Sequence, residues 1–316
     1  MTTTKILIVG IGGVGGYFGG LLAKKYQQKD DIEIYFLARN ENLRKIKSEG
    51  IRVVDDKNEF IAYPDLVSDN IKDFGLIDYA LICTKTYNLT EIAEQIAPSI
   101  SSSTVLIPLQ NGVNSRDILF NFFPRNLISY GCVYLVSRLK KAGIIEKKGQ
   151  VNSLFFGLNA VQDDRLDALQ EILVNAGVKS ELSLDITKVI WEKFIFLSSI
   201  ATSTTYFDSS IHEILENKKK LEALKSLVKE VIKLAQSKGI QIEDKYIDHV
   251  LGILQSLPLE STTSMHSDFK HQNEQTELES LTGYVVKEGT LSNVPNQTFE
   301  MMYNTIRKTP NLLYNK

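Results

Sequence analysis

Cysteine and histidine are scarce in this 316-residue chain, and its charges almost balance. Two cysteines, Cys83 and Cys132, without a C-x-x-C pair exclude a disulfide framework and are typical of a reducing compartment. A formal net charge of −2 excludes the strong field expected of a nucleic-acid-binding or membrane-surface protein. The four histidines show no metal-ligand spacing, so we expect no metal site.

Long apolar runs are also absent. No uninterrupted stretch reaches the length needed to span a bilayer, and the N-terminal run "ILIVG" is too short for a secretory signal. We therefore expect a cytoplasmic protein with a small-molecule partner, and neither nucleic acid nor membrane as a partner. The length suffices for one large domain or two ordinary ones.

The first part of the chain alternates aliphatic strands with helices. Continuous aliphatic strands separated by helices indicate a parallel sheet that is covered on both faces. The pattern predicts an α/β, doubly wound, Rossmann-type domain over residues 1–183. Its strands are predicted at 5–10, 32–38, 77–84, 103–109, 127–136, 143–148 and 152–158, the last two as a hairpin, with helices at 13–26 and 89–100.

From about residue 163 the periodicity becomes helical. Gly177, Gly239 and Gly289 follow three of the predicted helices, as C-terminal glycines do. The pattern predicts an all-helical domain over residues 184–316. Helices are predicted at 163–176, 185–205, 217–238, 244–256, 262–272, 277–288 and 295–308.

A glycine-rich segment, "VGIGGVGGYFGG", joins the first strand to the first helix and contains Gly10-x-Gly12-x-x-Gly15. In that context Gly10 permits a tight turn, Gly12 lets a pyrophosphate approach the backbone, and Gly15 lets the helix lie close to the sheet. Gly13 and Val14 fall in the first helical turn, whose free N–H groups face the phosphates. The alternative is a turn that serves packing alone; we expect dinucleotide binding.

The end of the second predicted strand indicates which dinucleotide is bound. An NAD-specific enzyme usually has Asp or Glu there, but this chain has Arg39, whose guanidinium can bind a 2′-phosphate. We therefore predict NADP(H). The alternative is a solvated loop arginine, and the nearby Glu41 leaves the choice open.

Polar side chains follow two further strands of the predicted sheet. Lys85 lies in "LICTKTYN", and Asn111 lies in "LIPLQNG". Strand ends near the switch point of a doubly wound sheet form its ligand crevice. Lys85 is expected to hold a cofactor phosphate or a substrate carboxylate, and Asn111 to bind nicotinamide or substrate. The alternatives are a loop-edge lysine and a turn asparagine.

Lys193 lies within the apolar helical run "VIWEKFIFLSS". The helical period places it roughly 100° from a polar stripe, Lys188, Glu192, Ser199 and Ser203, which should face water. A lysine buried on the apolar face can donate a proton at neutral pH, whereas a boundary lysine simply extends to solvent. Glu277, beside a predicted Thr276–Glu279 capping box, is its expected partner or a ribose ligand; the alternative is a helix-dipole acid.

With these segments assembled, the chain resembles the ketopantoate reductase family. The ordered motifs are the glycine loop, "LICTKTYN", "LQNG", "WEKF", "TSMHSD" and "TELESLTGYVV". The resemblance implies an NADPH-binding Rossmann domain and a helical domain that closes the site. It implies that Lys193 is the general acid and that Glu277 contacts cofactor and positions this lysine. It also implies that Asn111 touches cofactor and substrate, that Ser264 touches substrate, and that backbone at Ser137 meets the cofactor.

Three positions depart from the family pattern. Substrate-binding asparagines are replaced by Leu197, Ala201 and Ile211, and the nearby Ser198, Ser199 and Thr202 are the candidate substitute donors. The resemblance implies reduction of ketopantoate to pantoate in pantothenate and coenzyme A biosynthesis. The departures leave two alternatives open, a reductase of a more apolar 2-oxo acid and a non-catalytic NADP-binding sensor. A homodimer is also left open.

Overall fold

The computed structural model describes residues 3–308 except Asp30 and Lys57. Its chain forms two compact units, Met1–Thr187 and Lys188–Lys316. The domain boundary expected near residue 183 remains a proposal.

Eleven β-strands lie within the described part of the first unit. They are β1 (Thr4–Val9), β2 (Ile32–Leu37), β3 (Ile51–Val54), β4 (Glu59–Ala62), β5 (Leu66–Ser68), β6 (Ile77–Ile82), β7 (Ile100–Pro108), β8 (Leu127–Ile128), β9 (Tyr130–Lys141), β10 (Ile144–Gly157) and β11 (Lys179–Leu182). The α-helices of the chain are α1 (Gly13–Tyr26), α2 (Asn40–Glu49), α3 (Leu89–Ile96), α4 (Ser115–Phe122), α5 (Asp164–Asn175), α6 (Ile186–Phe207), α7 (Ile211–Glu216), α8 (Lys218–Ser237), α9 (Tyr246–Gln255), α10 (Ser264–Lys270), α11 (Tyr284–Leu291) and α12 (Gln297–Lys308).

A six-stranded parallel sheet organises the first unit. Its strand order is β5-β2-β1-β6-β7-β8, and the order reverses between β1 and β6, as in a doubly wound sheet. Alternate residues of β1 face opposite layers, Ile6 and Ile8 one core, Leu7 and Val9 the other. This confirms the predicted α/β fold class.

Both faces of this sheet are covered by helices. Residues of α1 and α5 pack in the core that contains Ile6, and residues of α3 and α4 pack in the core that contains Leu7. Helical spacing puts four apolar residues on one face of α3, and all four are buried: Leu89, Ile92, Ala93 and Ile96.

A second sheet has the order β11-β10-β3-β4, with β9 pairing antiparallel to β10. The prediction of a hairpin between 143–148 and 152–158 is wrong. Those residues form one strand, β10, and its hairpin partner is β9. The register shifts between Lys148 and Asn152, so the sequence there reads as a break although the strand continues through a bulge.

Helix α1 packs between the two sheets because its glycines let both approach. A Cβ on Gly15 would overlap the carbonyl oxygen of Gly10, and one on Gly19 would press on the Phe36 ring of the first sheet. On the other side, a Cβ on Gly16 would overlap the Ile145 side chain of the second sheet. Side chains four residues apart share a helix face, so the glycine pairs form two flat faces.

The second unit consists of helices throughout its described residues, which confirms a helical C-terminal domain. Helix α6 does not have the predicted solvent stripe. Ser199 and Ser203 are fully buried, while Lys188 and Glu192 are half-buried. The prediction failed because a serine side chain is small enough to be buried against neighbouring elements: the Ser199 and Ser203 hydroxyls are buried and have no hydrogen-bond partner among the described residues.

The predicted helix 277–288 also differs in the structure. A π-helical segment, Glu279–Gly283, precedes α11, and α11 continues to Leu291. The Gly289 prediction is therefore wrong, since Gly289 lies inside α11, whereas Gly177 and Gly239 do follow α5 and α8 with positive φ. The small surface of Gly289 lets Asn296 approach the helix.

The predicted Thr276–Glu279 capping box is not formed. The Thr276 hydroxyl accepts from the Leu278 N–H at 3.3 Å, whereas the Glu279 carboxylate accepts from the Tyr303 hydroxyl at 2.9 Å. The Glu279 carboxylate therefore accepts from a side chain on α12, not from the Thr276 N–H as a capping box requires.

Candidate functional site

The glycine loop lies at the carboxyl end of β1, where the strand order reverses. Gly10 has φ +91, a conformation that side chains disfavour, and Gly12 is the N-cap of α1. A Cβ on Gly12 would meet nothing within 4 Å, so the backbone is open to a ligand there. The cap has no side-chain hydrogen bond and the first turn has no acid, so the N–H groups of Gly13, Val14 and Gly15 suit an anion.

Ser137 lies against this loop. A Cβ on Gly13 would overlap the carbonyl oxygen of Ser137, so Ser137 lies beside the glycine loop. Asn42 links the glycine loop to the turn before β10. Its amide donates to the Ile11 carbonyl at 2.9 Å and its oxygen accepts from the Gly143 N–H at 2.8 Å. Sequence reasoning missed Asn42, because the Gly143 partner lies 101 positions along the chain.

Arg39 follows β2 at the same edge of the sheet, where the Gly10 N–H donates to the Leu37 carbonyl. Its guanidinium is exposed and donates to Gln95 at 2.5 Å and to Glu91 at 3.3 Å, both on α3. Such exposed pairs are weak, on the order of 0 to 1 kcal/mol, so a phosphate could displace them. Arg39 therefore remains available to an anion beside the loop.

Lys85 and Asn111 follow neighbouring strands, β6 and β7. The loops that carry them are joined, because the Thr86 hydroxyl donates to the Asn111 carbonyl at 2.9 Å. The Gln110 amide donates to the Ile82 carbonyl at 2.9 Å. Both predicted residues are half-buried. The structure thus brings Lys85 and Asn111 to one edge of the sheet, as the sequence predicted.

Buried polar atoms near this edge that have no hydrogen-bond partner among the described residues include Thr84 Oγ1, Gln110 Oε1 and Ser137 Oγ. Buried polar atoms are normally paired, by protein, water or ligand. A Cβ on Gly10 would meet the Thr84 side chain, and a Cβ on Gly13 would meet Ser137. Thr84 and Ser137 therefore both lie beside the glycine loop. The residues of the first unit therefore fit a dinucleotide: an open glycine turn, a bare helix N-terminus and unpaired polar atoms.

Lys193 lies half-buried on α6 in the second unit. The helical period places Leu197 about 40° and Ile200 about 20° from it, so its face of the helix is apolar. Leu197 is half-buried and Ile200 is buried. The apolar setting expected for Lys193 is therefore present.

The candidate substitute donors do not share this face. The helical period puts Ser198, Ser199 and Thr202 about 120° to 180° from Lys193. The Thr202 hydroxyl also has partners already, the Ser198 carbonyl at 2.7 Å and the Thr282 hydroxyl at 2.8 Å. The positions of these three residues on α6 therefore do not support them as substitutes for the asparagines that the resemblance implies.

Glu277 and Ser264 meet in the second unit. The Glu277 side chain is 1% exposed, and the exposed Ser264 donates its hydroxyl to Glu277 Oε2 at 3.4 Å. The two residues are 13 positions apart. A buried carboxyl therefore reaches the residue that the sequence predicted to touch substrate.

The sequence predicted neither a metal site nor a membrane-spanning segment. Within residues 3–308, Asp30 and Lys57 aside, no cluster of His, Cys, Asp and Glu has the geometry of a metal site. The helices of that same part of the chain include none long and apolar enough to cross a membrane.

Together, the reversal of strand order, the glycine loop and the helical second unit define a class: Rossmann-type oxidoreductases with a helical C-terminal domain. The family model for ketopantoate reductase PanE/ApbA matches residues 6–159, and its C-terminal counterpart matches residues 185–309. The chain belongs to the ketopantoate reductase family.

Individual relatives extend over nearly the whole chain. The uncharacterized oxidoreductase YkpB of Bacillus subtilis is 27% identical over 302 residues, 95% of this chain and 96% of its own. The 2-dehydropantoate 2-reductase structure of Porphyromonas gingivalis W83 is 31% identical with a TM-score of 0.86, covering 97% of this chain and 100% of its own.

One structural neighbour carries a nicotinamide cofactor. It is a D-mandelate dehydrogenase in a ternary structure with NADH and anilino(oxo)acetate, 20% identical with a TM-score of 0.85 over 98% of this chain and 99% of its own. At this identity the likeness shows the fold alone.

Proposed function

We propose that this protein is an NADPH-dependent reductase of a 2-oxo acid, and that ketopantoate, reduced to pantoate for pantothenate and coenzyme A biosynthesis, is its substrate. Family membership across both units supports the reaction type. The observation that carries the proposal is Lys193, half-buried on the apolar face of α6.

The roles follow from the chemistry of each residue. NADPH, when bound, supplies the hydride for the keto carbon. The first-turn N–H groups of α1 hold its pyrophosphate, and Arg39 holds its 2′-phosphate. Lys85 and Asn111 orient cofactor and substrate. Lys193 donates a proton to the keto oxygen as negative charge develops there.

The proton donor is tested by Lys193→Ala. Loss of a general acid should lower kcat by roughly 10²- to 10⁴-fold while NADPH still binds. The matched control is Lys188→Ala, which removes the same charge from the same helix and should leave kcat within about threefold. Near-normal turnover by the Lys193 variant would remove it from the mechanism.

A second candidate is a reductase of a more apolar 2-oxo acid. It is favoured by Leu197, Ala201 and Ile211, which are half-buried or buried and cannot hydrogen-bond a substrate hydroxyl. A pocket built to bond a hydroxyl discriminates through that bond, so its loss should relax or redirect selectivity.

Oxidation of NADPH across a panel of 2-oxo acids, at equal enzyme concentration and with NADH as control, separates these candidates. A clear preference for ketopantoate eliminates the apolar alternative. Cofactor binding without turnover of any 2-oxo acid contradicts both and indicates a sensor.

A further inference from the structure

The first turn of α10 is attached to the end of α6 by hydroxyl groups. Thr263, the N-cap of α10, accepts from the His266 N–H through its side chain, and its hydroxyl lies 2.9 Å from that of Thr204 on α6. Ser264 is the next residue, the first of α10. The position of Ser264 therefore depends on how this turn is held.

His266 lies in the same turn and is 2% exposed. Its Nε2 lies 2.8 Å from Asp208 Oδ1, and its Nδ1 contacts the Thr262 hydroxyl. Because an ionised carboxylate only accepts hydrogen bonds, Nε2 carries the proton and Nδ1 accepts from Thr262. One tautomer of the neutral imidazole thus satisfies both contacts.

Asp208 lies immediately after α6 and has φ +45, a left-handed conformation that few residues other than glycine adopt without cost. Its Oδ1 also lies 3.4 Å from Lys270 Nζ, at the last residue of α10. Asp208 therefore contacts both ends of this short helix, and His266 is the buried one of its two partners.

A cap for α10 exists already in Thr263, so a helix start alone does not explain a buried imidazole. An apolar side chain would be cheaper to bury at position 266 than a polar ring with two bonds to satisfy. What the pair with Asp208 adds is a fixed direction for the turn that carries Ser264. The Ser264 hydroxyl in turn reaches the buried Glu277 carboxyl.

We propose that His266 is a positioning residue: through Asp208 and Thr262 it holds Ser264 where it contacts the 2-oxo acid. This inference rests on the proposed function for the substrate contact. We propose no contact of the imidazole with substrate or cofactor: His266 influences substrate binding only by positioning the α10 turn.

Three variants of the full chain test the proposal. His266→Leu removes both ring contacts, and His266→Gln keeps an N–H donor for Asp208. His249→Leu, on α9, makes the same chemical change at an exposed position away from α10. We expect His266→Leu to raise KM for the 2-oxo acid about 10-fold with kcat within about threefold and the NADPH Kd within about twofold, since a lost hydrogen-bonding contact is typically a tenfold effect. His266→Gln should recover most of the loss, and His249→Leu should match wild type.

Ser264→Ala supplies the second arm. If His266 acts through Ser264, the two substitutions are not additive, and His266→Leu changes KM little once Ser264 is alanine. Additive effects, or a parallel fall of kcat, NADPH affinity and thermal stability, would show a general structural role and overturn the proposal.

A measurement without substrate completes the test. Hydrogen exchange of segment 262–270 should speed up in His266→Leu and not in His249→Leu, because the turn opens more often without the bonds of His266. Unchanged exchange overturns the proposal even if the wild type reduces no 2-oxo acid, an outcome that would separately refute the proposed function.

Discussion

At the scale of single residues, the proposed preference for NADP(H) depends on Arg39. Its guanidinium is exposed beside the glycine loop and bound only by weak surface contacts. Arg39→Gln should raise the NADPH Kd roughly 10-fold, since a charge-assisted hydrogen bond contributes about 1.5 to 3 kcal/mol, and should leave the NADH Kd unchanged. Fluorescence titration with each cofactor measures both. Arg44→Gln, an exposed arginine inside α2, is the control, and equal binding of NADH and NADPH by the wild type would refute the assignment.

A second prediction concerns His266 and acid. Burial lowers the pKa of His266 from its ordinary 6.5, and the hydrogen bond with Asp208 only partly offsets this. Burial alone would raise the pKa of Asp208, but the His266 hydrogen bond and the Lys270 charge outweigh it and lower that pKa. Two further charges act on the imidazole: Lys270 lowers the pKa of His266, and Glu213 raises it.

The sign of the pH effect follows from proton linkage. Below 6.5 the unfolded chain binds a proton at His266 that the folded chain resists, so stability falls as the pH drops through that window. The Asp208 contribution is present above its ordinary pKa of 3.8 and is lost as the pH falls further. The unfolding midpoint should therefore fall more between pH 7.5 and pH 5 (two buffers of roughly equal ionic strength) for wild type than for His266→Gln. Equal falls would contradict the prediction.

At the scale of secondary-structure elements, the N-terminus of α12 is capped by another helix. Glu230 of α8 accepts from the Thr298 N–H at 2.9 Å and from the Phe299 N–H at 3.0 Å. A carboxylate at a helix N-terminus satisfies unpaired donors and complements the helix dipole. Glu230→Ala should lower the free energy of unfolding by about 1 to 3 kcal/mol, because two partly buried N–H groups lose their acceptor.

Urea denaturation measures that loss. Glu222→Ala on the same helix is the matched control, since its carboxylate is exposed and pairs only locally with Lys225. Its effect should stay below about 0.5 kcal/mol, as for other surface changes. An equal effect of the two variants would mean that the α12 cap contributes nothing measurable.

Elements were predictable from the sequence where local pattern and tertiary role agree. The α3 face and the strand β1 follow from apolar spacing alone, and both are buried as expected. Prediction failed where a distant partner decides the outcome. The Glu279 carboxylate bonds to Tyr303, 24 positions away, and does not cap its own helix. Strand β10 continues through its irregular stretch because β9 pairs with it both before and after that stretch. No local window contains those partners.

At the scale of the whole molecule, the fold class and the edge that carries Lys85 and Asn111 were predictable, because a parallel sheet places its strand ends together. The Asp208–His266 pair was not, since its members are 58 positions apart and each is unremarkable alone. Substrate choice does not follow from the fold, and it stays a proposal because the resemblance implies asparagines where this chain has Leu197, Ala201 and Ile211.

Cofactor binding should register as stability of the whole chain. A ligand that binds only the folded state stabilises it by about 2.7 kcal/mol at 100 times its Kd. NADPH at that excess should therefore raise the melting temperature of wild type. Gly12→Ala should melt like wild type without cofactor, because its Cβ meets nothing within 4 Å, yet should lose most of the NADPH shift, because the methyl group occupies the space that the pyrophosphate needs. Gly15→Ala is the contrasting variant: its Cβ overlaps the Gly10 carbonyl, so it should melt lower even without cofactor. If Gly12→Ala kept the full NADPH shift, the glycine loop would serve packing rather than the dinucleotide.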